Sequence, residues 1–167
     1  MGDFEEGVAT IDQATMRTVL GHFATGVTVI TAMADGEPVG IAANSFTSVS
    51  LDPPLVLFCA GKSSSTWPLM QKSGAFAVNV LGEHQEEISR LFASKNADRF
   101  AGVGFHAAAT GSPVLTGSIA YLDCRIHAEH DAGDHVIVVG RVVELGVMDE
   151  ASPLLFFRGG YHQLAAG

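Results

Sequence analysis

The sequence predicts an all-β protein, a closed or split β-barrel with mostly antiparallel strands and a few short helices. Runs rich in Val, Ile and Thr recur along most of the chain, and this composition favours strands. Turn signals such as Asp35-Gly36 separate several of these runs, which favours antiparallel hairpins. Apolar residues at helical spacing are confined to short stretches, so the helices can only decorate the sheet.

The first predicted element is an amphipathic helix. Thr10 and Gln13 have the spacing of a capping box, and Gly26 is the residue that would end the helix. Four apolar residues recur between them at helical spacing, namely Met16, Val19, Leu20 and Phe23. One face of this helix should therefore be buried.

A hairpin and further strands follow. The hairpin joins residues 27–34 to residues 39–43 through the Asp35-Gly36 turn. Later strands, rich in β-branched and aromatic residues, are predicted at residues 46–51, 55–60, 75–81, 119–129, 135–147 and 154–157. The two long strands among them are joined by Asp131-Ala132-Gly133-Asp134, a strong turn sequence.

Two short helices interrupt the strands. One begins near the cluster at residues 63–66, with Pro68 tolerated in its first turn. The other spans residues 83–93 and is expected to bury Ile88, Leu91 and Phe92. Residues 101–113 are rich in glycine and are predicted as a loop.

Length and composition indicate one domain that associates with itself. A chain of 167 residues has room for one sizeable core, and we assign a single domain to residues 1–167 with its core at about 11–164. Apolar residues make up 47% of the chain and charged residues 16%, which leaves more apolar surface than so small a monomer hides. We therefore expect a homo-oligomer.

Charge and the N-terminal sequence exclude several classes of partner. With 9 Lys and Arg against 18 Asp and Glu, the formal charge of −9 repels nucleic acid, so any phosphate must be held locally. Residues 1–6 carry no signal-peptide or myristoylation pattern, and no apolar run has the length that spans a bilayer. We expect a cytoplasmic protein without membrane contact, in which Cys59 and Cys124 are reduced thiols in strands.

Two phosphate-binding motifs are matched only in part. Gly61-Lys62-Ser63 resembles the end of a P-loop, but Val56 stands where that motif needs glycine. Residues 102–107 nominally satisfy the dinucleotide fingerprint, but Pro113 follows too soon for a helix to open there. Neither motif is expected to bind a nucleotide.

Metal and serine-hydrolase chemistry are also disfavoured. Four residues could suggest zinc, namely Cys124, His127, His130 and His135. On an extended strand Cys124 and His130 share one face while His127 takes the other, so no single strand face can gather all three. No G-x-S-x-G elbow occurs. We therefore predict neither a metal site nor an acyl-transfer triad.

The stretch from Gly40 to Pro54 places many small and hydroxyl-bearing residues between two strands. Small side chains let a flat ring approach the backbone, while amides and hydroxyls can bond ring carbonyls and nitrogens. The same composition is also typical of a solvent-exposed loop followed by an edge strand. The residues alone leave both interpretations open.

A second candidate site is the stretch Lys62-Ser63-Ser64-Ser65-Thr66, which precedes a short predicted helix. Its hydroxyls, the free N–H groups of the first helical turn and one ammonium could cradle a phosphate. Ser64 or Ser65 could equally cap the helix while Lys62 is solvated.

Four motifs occur in order along the chain. They are F-A-T-G-V-T-V-I-T at residues 23–31, A-N-S-F-T-S-V-S at residues 43–50 with D-P-P at 52–54, G-D-H at 133–135 and F-R-G-G-Y at 157–161. Together they resemble the motifs of the flavin reductase-like, FMN-binding split-barrel family. The match spans about residues 11–164 and is similar, within that family, to the reductase components of two-component flavin monooxygenases.

The resemblance implies a homodimer of Greek-key split barrels, with FAD or FMN in a groove near the dimer interface. In that family the A-N-S segment and the following S-x-S contact the flavin, which carries over to Ala43, Asn44, Ser45, Ser48, Val49 and Ser50. The ribityl phosphate end would then be received by Cys59, Ala60, Lys62, Ser63, Ser64, Ser65 and Thr66.

The Gly-Asp-His motif of the family meets the nicotinamide dinucleotide. The resemblance therefore makes His135 the catalytic-site residue on the nicotinamide side of the flavin, with Gly133-Asp134 shaping the turn. Without the resemblance, His135 is equally a partly exposed histidine at a strand start. Tyr161 would offer its ring to either cofactor or simply pack the C-terminal segment, and Arg90 and Phe92 are further candidates for flavin contact.

The activity implied is hydride transfer from a reduced nicotinamide dinucleotide to flavin, with the reduced flavin passed to a partner monooxygenase. Such chemistry belongs to the cofactors and needs no paired carboxylates. The chain lacks an arginine cluster for a 2′-phosphate, which favours NADH over NADPH. Two alternatives share the barrel: a pyridoxamine-phosphate-oxidase-like enzyme, for which 9 basic residues are few, and a non-catalytic flavin- or haem-binding module.

Overall fold

The structure is a computed structural model and describes residues 9–95 and 98–167. Its helices are α1 (Gln13–Leu20), α2 (Trp67–Ser73) and α3 (Glu86–Ala93), with a 3-10 turn at Glu83–Gln85. Its strands are β1 (Thr25–Gly26), β2 (Thr28–Ala34), β3 (Glu37–Ala43), β4 (Thr47–Leu51), β5 (Pro54–Gly61), β6 (Ala75–Val80), β7 (Phe105–Ala107), β8 (Pro113–Leu115), β9 (Ala120–Ala132), β10 (His135–Val147), β11 (Leu155–Phe157) and β12 (Gly160–His162). Residues 1–6, for which the sequence predicts neither a signal peptide nor myristoylation, lie outside the described residues.

The main sheet has seven strands in the order β3-β2-β6-β9-β10-β5-β4, and every pairing is antiparallel. Two small sheets, β1-β11-β12 and β7-β8, lie beside it. The prediction of a mostly antiparallel β protein with short helices is therefore confirmed. The hairpin turn is confirmed as well, because Asp35 and Gly36 have φ values of 51° and 82°, the positive pair that a type I′ turn requires.

The main sheet is strongly curved. β3 and β5 are five strand spacings apart in the sheet order, which would separate them by about 24 Å in a flat sheet. Instead, Cα atoms of β3 and β5 lie within 8 Å of one another. The concave side holds the core, in which Phe58 contacts Trp67 and Phe76 edge to face.

The first helix differs from its prediction at both ends. Asp12 is the N-cap, since its Oδ1 accepts a hydrogen bond of 2.8 Å from the Thr15 amide, and Thr10 plays no such part. The helix ends at Leu20, because the chain must turn to place β1 beside β11. None of its residues is buried, so the apolar face that the sequence predicts is not covered by residues 9–95 and 98–167.

The predicted loop at residues 101–113 is instead partly a hairpin, formed by β7 and β8. Two acidic side chains hold its connection. Asp123, fully buried, accepts hydrogen bonds from the amide and the hydroxyl of Thr110, at 2.8 and 2.6 Å. Glu144 accepts one from the Ala109 amide at 2.8 Å and one from the Tyr121 hydroxyl at 2.6 Å. These long-range contacts leave no local sequence signal.

Smaller differences concern burial and the C-terminal segment. Phe92 is buried as predicted, but Ile88 and Leu91 are only partly buried. The sequence analysis did not predict strand β12.

Both cysteines are free thiols in strands, as expected. Burial, with a further contribution from the charge of Asp123, raises the pKa of the Cys124 thiol to about 12. The described helices have at most eight residues, too few to cross a lipid bilayer.

Candidate functional site

The curvature of the sheet creates a cavity of about 380 Å³ between β3 and β5. Seven residues assigned to cofactors from the sequence lie on its wall: Ala43, Asn44, Ser45, Cys59, Ser64, Phe92 and His135. Small side chains dominate the strand edges, with Ala42 and Ala43 on β3 and Gly61 at the end of β5. A volume of this size is within the range of small-molecule sites.

At this cavity the Ser45 side chain contacts the backbone of β5. Its Oγ accepts a hydrogen bond of 2.9 Å from the Cys59 amide and lies 3.3 Å from the Cys59 carbonyl oxygen. The pairing of Thr47 with Leu57 continues in register to this point, so the Ser45 hydroxyl takes the place of a backbone partner. The side chain thereby fastens the β3–β4 connection to β5.

Two further cavities adjoin the first, and Asn44 lies on the wall of all three. The larger, of about 930 Å³, extends along the segment between α1 and β2. The Thr25 hydroxyl there is buried and has no hydrogen-bond partner among the described residues. A buried hydroxyl without a partner is costly unless a ligand supplies one.

The smaller adjoining cavity has a volume of about 180 Å³ and is lined in part by Tyr161 and Ser89. The Tyr161 hydroxyl lies 2.8 Å from Ser89 Oγ, and the Arg90 guanidinium sits 4.8 Å from the centre of the Tyr161 ring. Arg90 itself is exposed and forms an ion pair of 2.7 Å with Glu86. Tyr161 is thus held in place beside the cleft.

The segment at residues 62–66 is arranged differently from the expected phosphate cradle. Ser64 Oγ accepts hydrogen bonds of 3.2 Å from the amides of both Thr66 and Trp67, and Pro68 has no N–H. The first turn of α2 therefore has no free amide at these three positions. Lys62 is exposed and paired with Asp131, and Ser63 and Ser65 are exposed. Only Ser64 of this segment lies on the cavity wall.

Four other assigned residues lie away from the cavity. Ser48, Val49 and Ser50 belong to the edge strand β4, opposite Val56 and Leu55, several residues along the strand from Ser45. Ala60 is fully buried, because alternate residues of β5 point into the core. Phe92 touches the cavity but is 1% exposed and packs so closely on Gly40 that a Cβ there would lie 2.8 Å from its ring.

The turn before β10 presents His135 to the cavity. Gly133 has a φ of 69°, which glycine adopts without strain, and His135 pairs with Gly61 at the end of β5. The Nδ1 atom of His135 lies 2.7 Å from Asp134 Oδ1, and this hydrogen bond, followed by the charge of the ring, lowers the pKa of Asp134. Nε2 is on the Gly61 side, where an added Cβ would be 3.8 Å from it.

Sequence reasoning missed one polar residue of the cavity wall, Arg99. Its Nη1 donates a hydrogen bond of 2.7 Å to the Gly40 carbonyl and lies 3.5 Å from Thr66 Oγ1. No local motif surrounds Arg99. The sequence gives only an indirect reason to consider Arg99: the chain has 9 Lys and Arg, so few residues could bind an anion.

Comparison with known families decides the class of this protein. A family model described as the flavin reductase like domain matches residues 20–165. The chain belongs to the flavin reductase-like family. The reductase subunit HsaB of a flavin-dependent monooxygenase from Rhodococcus jostii is 49% identical over 160 residues, covering 96% of this chain and 82% of HsaB. The flavin reductase class predicted from the four motifs is thus confirmed.

Solved structures of flavin reductases share the fold. Nitrilotriacetate monooxygenase component B from Mycobacterium thermoresistibile superimposes with a TM-score of 0.89 at 48% identity, covering 92% of this chain and 87% of that one. SgcE6 from Streptomyces globisporus, an NADH:FAD oxidoreductase in complex with NAD and FAD fragments, gives 0.85 at 40% identity, covering 92% and 93%. The antiparallel sheet described above is therefore the fold of flavin reductases.

Proposed function

We propose that this flavin reductase uses NADH to reduce FMN or FAD in the cavity between β3 and β5, and that the reduced flavin serves a partner monooxygenase. One observation carries the proposal. The curvature of the sheet brings residues from three separate stretches of the sequence to the wall of one cavity: Asn44 and Ser45, Ser64, and His135. The relatives support the cofactors and the partner, since one is a monooxygenase subunit and another an NADH:FAD oxidoreductase.

The residues of the cavity fit a flavin. Ala42, Ala43 and Gly61 leave room for a flat ring against the backbone. Asn44 offers an exposed amide on the wall shared by the three cavities. In the larger cavity the Thr25 hydroxyl, which has no hydrogen-bond partner in the part of the chain that the structure describes, can bond a ligand. The flavin, when bound, supplies the redox chemistry by accepting a hydride from the reduced nicotinamide. The protein contributes binding and orientation.

His135 orients the dinucleotide in this proposal. Its Nδ1 donates to the Asp134 carboxylate, which can only accept, so the neutral ring carries its proton on Nδ1. Nε2 is then an acceptor at the cavity, suited to the amide group of a nicotinamide. No proton transfer by His135 is required, because the hydride moves between the cofactors.

We further propose that the curved sheet is the split barrel of the family, a single domain that works as a homodimer. Large apolar side chains are exposed at the end of β4 and in the second half of β10, with Leu51 at 93%, Leu145 at 65% and Val147 at 75% exposure. Only β5 separates these two strands. The apolar face of α1 is exposed as well. A second copy of the chain would cover such surfaces.

We also propose that the protein is cytoplasmic, because the cell supplies NADH there.

The test of the proposed function is oxidation of NADH by the purified full-length chain, followed by absorbance with FMN, with FAD and without flavin. We expect rapid oxidation that depends on added flavin, and slower oxidation of NADPH. Absence of flavin-dependent oxidation with both dinucleotides would contradict the proposed function.

A further inference from the structure

The cavity of about 930 Å³ that extends between α1 and β2 has a single charged side chain on its wall. Most of its lining is apolar or glycine, including Leu20, Phe23 and Phe156. Arg17, on the side of α1 that faces the cavity, is the exception, and the lining residues include no carboxylate. In a chain with 18 acidic residues and 9 basic ones, such a wall favours an anionic ligand.

A second arginine lies at the same end of α1. The Arg158 amide donates a hydrogen bond of 2.8 Å to the carbonyl of Gly21, the C-cap of α1, and the next residue, Gly159, lines the cavity. Arg17 is one helical turn before Gly21, whose amide donates to the Arg17 carbonyl at 2.9 Å. Arg17 and Arg158 are far apart in the sequence, and the fold brings them to one edge of the cavity.

The backbone of Arg158 is unusual for its residue type. Arg158 and Gly159 have φ values of 50° and 75° and form the two-residue turn of the β11–β12 hairpin. Such a turn ordinarily takes Asn-Gly or Asp-Gly, as at Asp35-Gly36 in this chain. An arginine gains nothing from the left-handed conformation. A strained residue beside a cavity indicates a function for its side chain.

The fold uses neither of these two guanidinium groups as a hydrogen-bond donor. Within residues 9–95 and 98–167, the arginine side chains that donate hydrogen bonds are those of Arg90 and Arg99, and no ion pair includes Arg17 or Arg158. The Arg158 guanidinium lies 4.9 Å from the centre of the Phe157 ring. Both residues are exposed, so their donors are accessible to a ligand.

The charge of Arg17 acts on the turn that carries His135. The pKa of Asp134 is lowered first by its hydrogen bond with His135, then by the charge of that ring, and in smaller part by the charge of Arg17. Asn44 and Ser45 line both the cavity that contains His135 and the cavity that contains Arg17. A ligand with one end at His135 can therefore extend past Asn44 toward Arg17.

We propose that Arg17 and Arg158 bind the diphosphate of the nicotinamide dinucleotide at the edge of the larger cavity. This inference rests on the proposed function, which places the nicotinamide end at His135. Two guanidinium groups match the two negative charges of the diphosphate, and each offers several donors to its oxygens. Because NADH and NADPH share this group, the two arginines increase the affinity for both dinucleotides and do not select between them.

The test compares hydride donors with and without phosphate. Flavin reduction by the wild type, Arg17→Gln and Arg158→Gln is followed by stopped flow with NADH and with dihydronicotinamide riboside, which carries the same hydride donor but no phosphate. We expect each substitution to lower kcat/KM for NADH about 5- to 30-fold, the effect of losing a charge-assisted contact near solvent. The value for the riboside should stay within about twofold. Arg17→Lys should recover part of the loss.

Arg125→Gln is the matched control, since it removes an equal charge at an exposed position on β9 that lines neither cavity. It should resemble the wild type with both donors. Added NaCl gives a measurement that needs no substitution. It should lower kcat/KM of the wild type for NADH and leave the value for the riboside unchanged, because salt screens exposed charges.

The remaining outcomes separate this diphosphate from other phosphate groups. Dissociation constants for FMN and riboflavin, from fluorescence quenching, should be the same in both variants as in the wild type, and thermal unfolding checks their folding. Equal losses with NADH and the riboside, equal salt dependence of the two donors, or a selective loss of FMN affinity would overturn the assignment. A loss with NADPH alone would place the 2′-phosphate there and overturn it as well. A wild type that oxidises neither donor with added flavin would instead overturn the proposed function.

Discussion

His135 presents one ring nitrogen to the cavity because Asp134 holds the other. The side chain of His135 is 49% exposed, so the hydrogen bond to Asp134, and not packing, fixes the ring orientation. This pair lies at the turn where β9 becomes β10, opposite the end of β5. The position of the His135 side chain thus depends on the turn between β9 and β10 and on the end of β5 beside it.

The proposed role of His135 predicts a selective loss of activity. For His135→Ala we expect kcat/KM for NADH to fall about 10- to 100-fold, the effect of losing one hydrogen bond worth about 1.5–3 kcal/mol. Flavin affinity should stay within about twofold, and the melting temperature should hardly change because the ring is half exposed. Stopped-flow flavin reduction against NADH concentration, with flavin binding titrated separately, measures both quantities.

His127→Ala is the matched control, since His127 is an exposed histidine on β9 outside the cavity. It should reduce flavin as the wild type does. If His135→Ala shows the normal NADH dependence, or fails only because flavin no longer binds, His135 does not act on the nicotinamide.

Some residues of the motifs lie at the cavity and others lie away from it. Asn44, Ser45 and His135 lie at the cavity. Ser48 and Ser50 belong to the same motif, yet three and five residues of extended chain carry them about 10 and 17 Å away from Ser45. Arg99 was missed because its position depends on a contact with Gly40, 59 residues away in sequence, which no local pattern records.

At the scale of elements, the β7–β8 hairpin depends on two acidic side chains that accept hydrogen bonds from its connection. Hydrogen bonds, first from the Tyr121 hydroxyl and then from the Ala109 amide, hold the pKa of Glu144 below its ordinary value. A carboxyl group with a lowered pKa in the folded state stabilises the fold above its unfolded pKa. That stabilisation is lost as the pH falls through the folded value.

We therefore expect Glu144→Gln to reduce the dependence of stability on acid. The free energy of unfolding of the wild type should fall between about pH 5 and pH 3 more steeply than that of the variant, since ordinary Glu titrates near pH 4.3. At neutral pH the variant should be the less stable of the two. Urea titrations at several pH values measure this, with Glu150→Gln, an exposed position, as control. Parallel curves for wild type and Glu144→Gln would show that Glu144 does not hold the hairpin.

Elements with strong local signals were predicted closely, and those defined by distant partners were not. The Asp35-Gly36 hairpin and the two long strands carry turn residues and β-branched runs of their own. The N-cap of α1 was misplaced because Thr10 and Asp12 both suit that position, and the structure uses Asp12. Strands β7 and β12 are three residues long, too short for a periodic pattern.

At the scale of the whole molecule, the composition of the sequence predicts an excess of exposed apolar surface, and the structure shows which side chains form it. The exposure of Leu51, Leu145 and Val147 predicts that the chain is a dimer at micromolar concentration. Leu51→Glu combined with Leu145→Glu should place charges in the interface and yield a monomer, measured by light scattering. Leu69→Glu, at an exposed position on α2, should remain dimeric. A monomeric wild type with full reductase activity would contradict the dimer.

The fastening of Ser45 to Cys59 has a consequence for turnover. Neighbouring strands of the sheet are joined by ladders of several backbone pairs, whereas the β3–β4 connection is joined to β5 here by one side chain that contacts a single residue. Two such hydrogen bonds contribute about 1–3 kcal/mol, which is less than a ladder of several backbone pairs contributes. Breaking this contact would free the β3–β4 connection beside the cavity while the strand ladders stay paired, which is the smallest local change by which a bound molecule can leave.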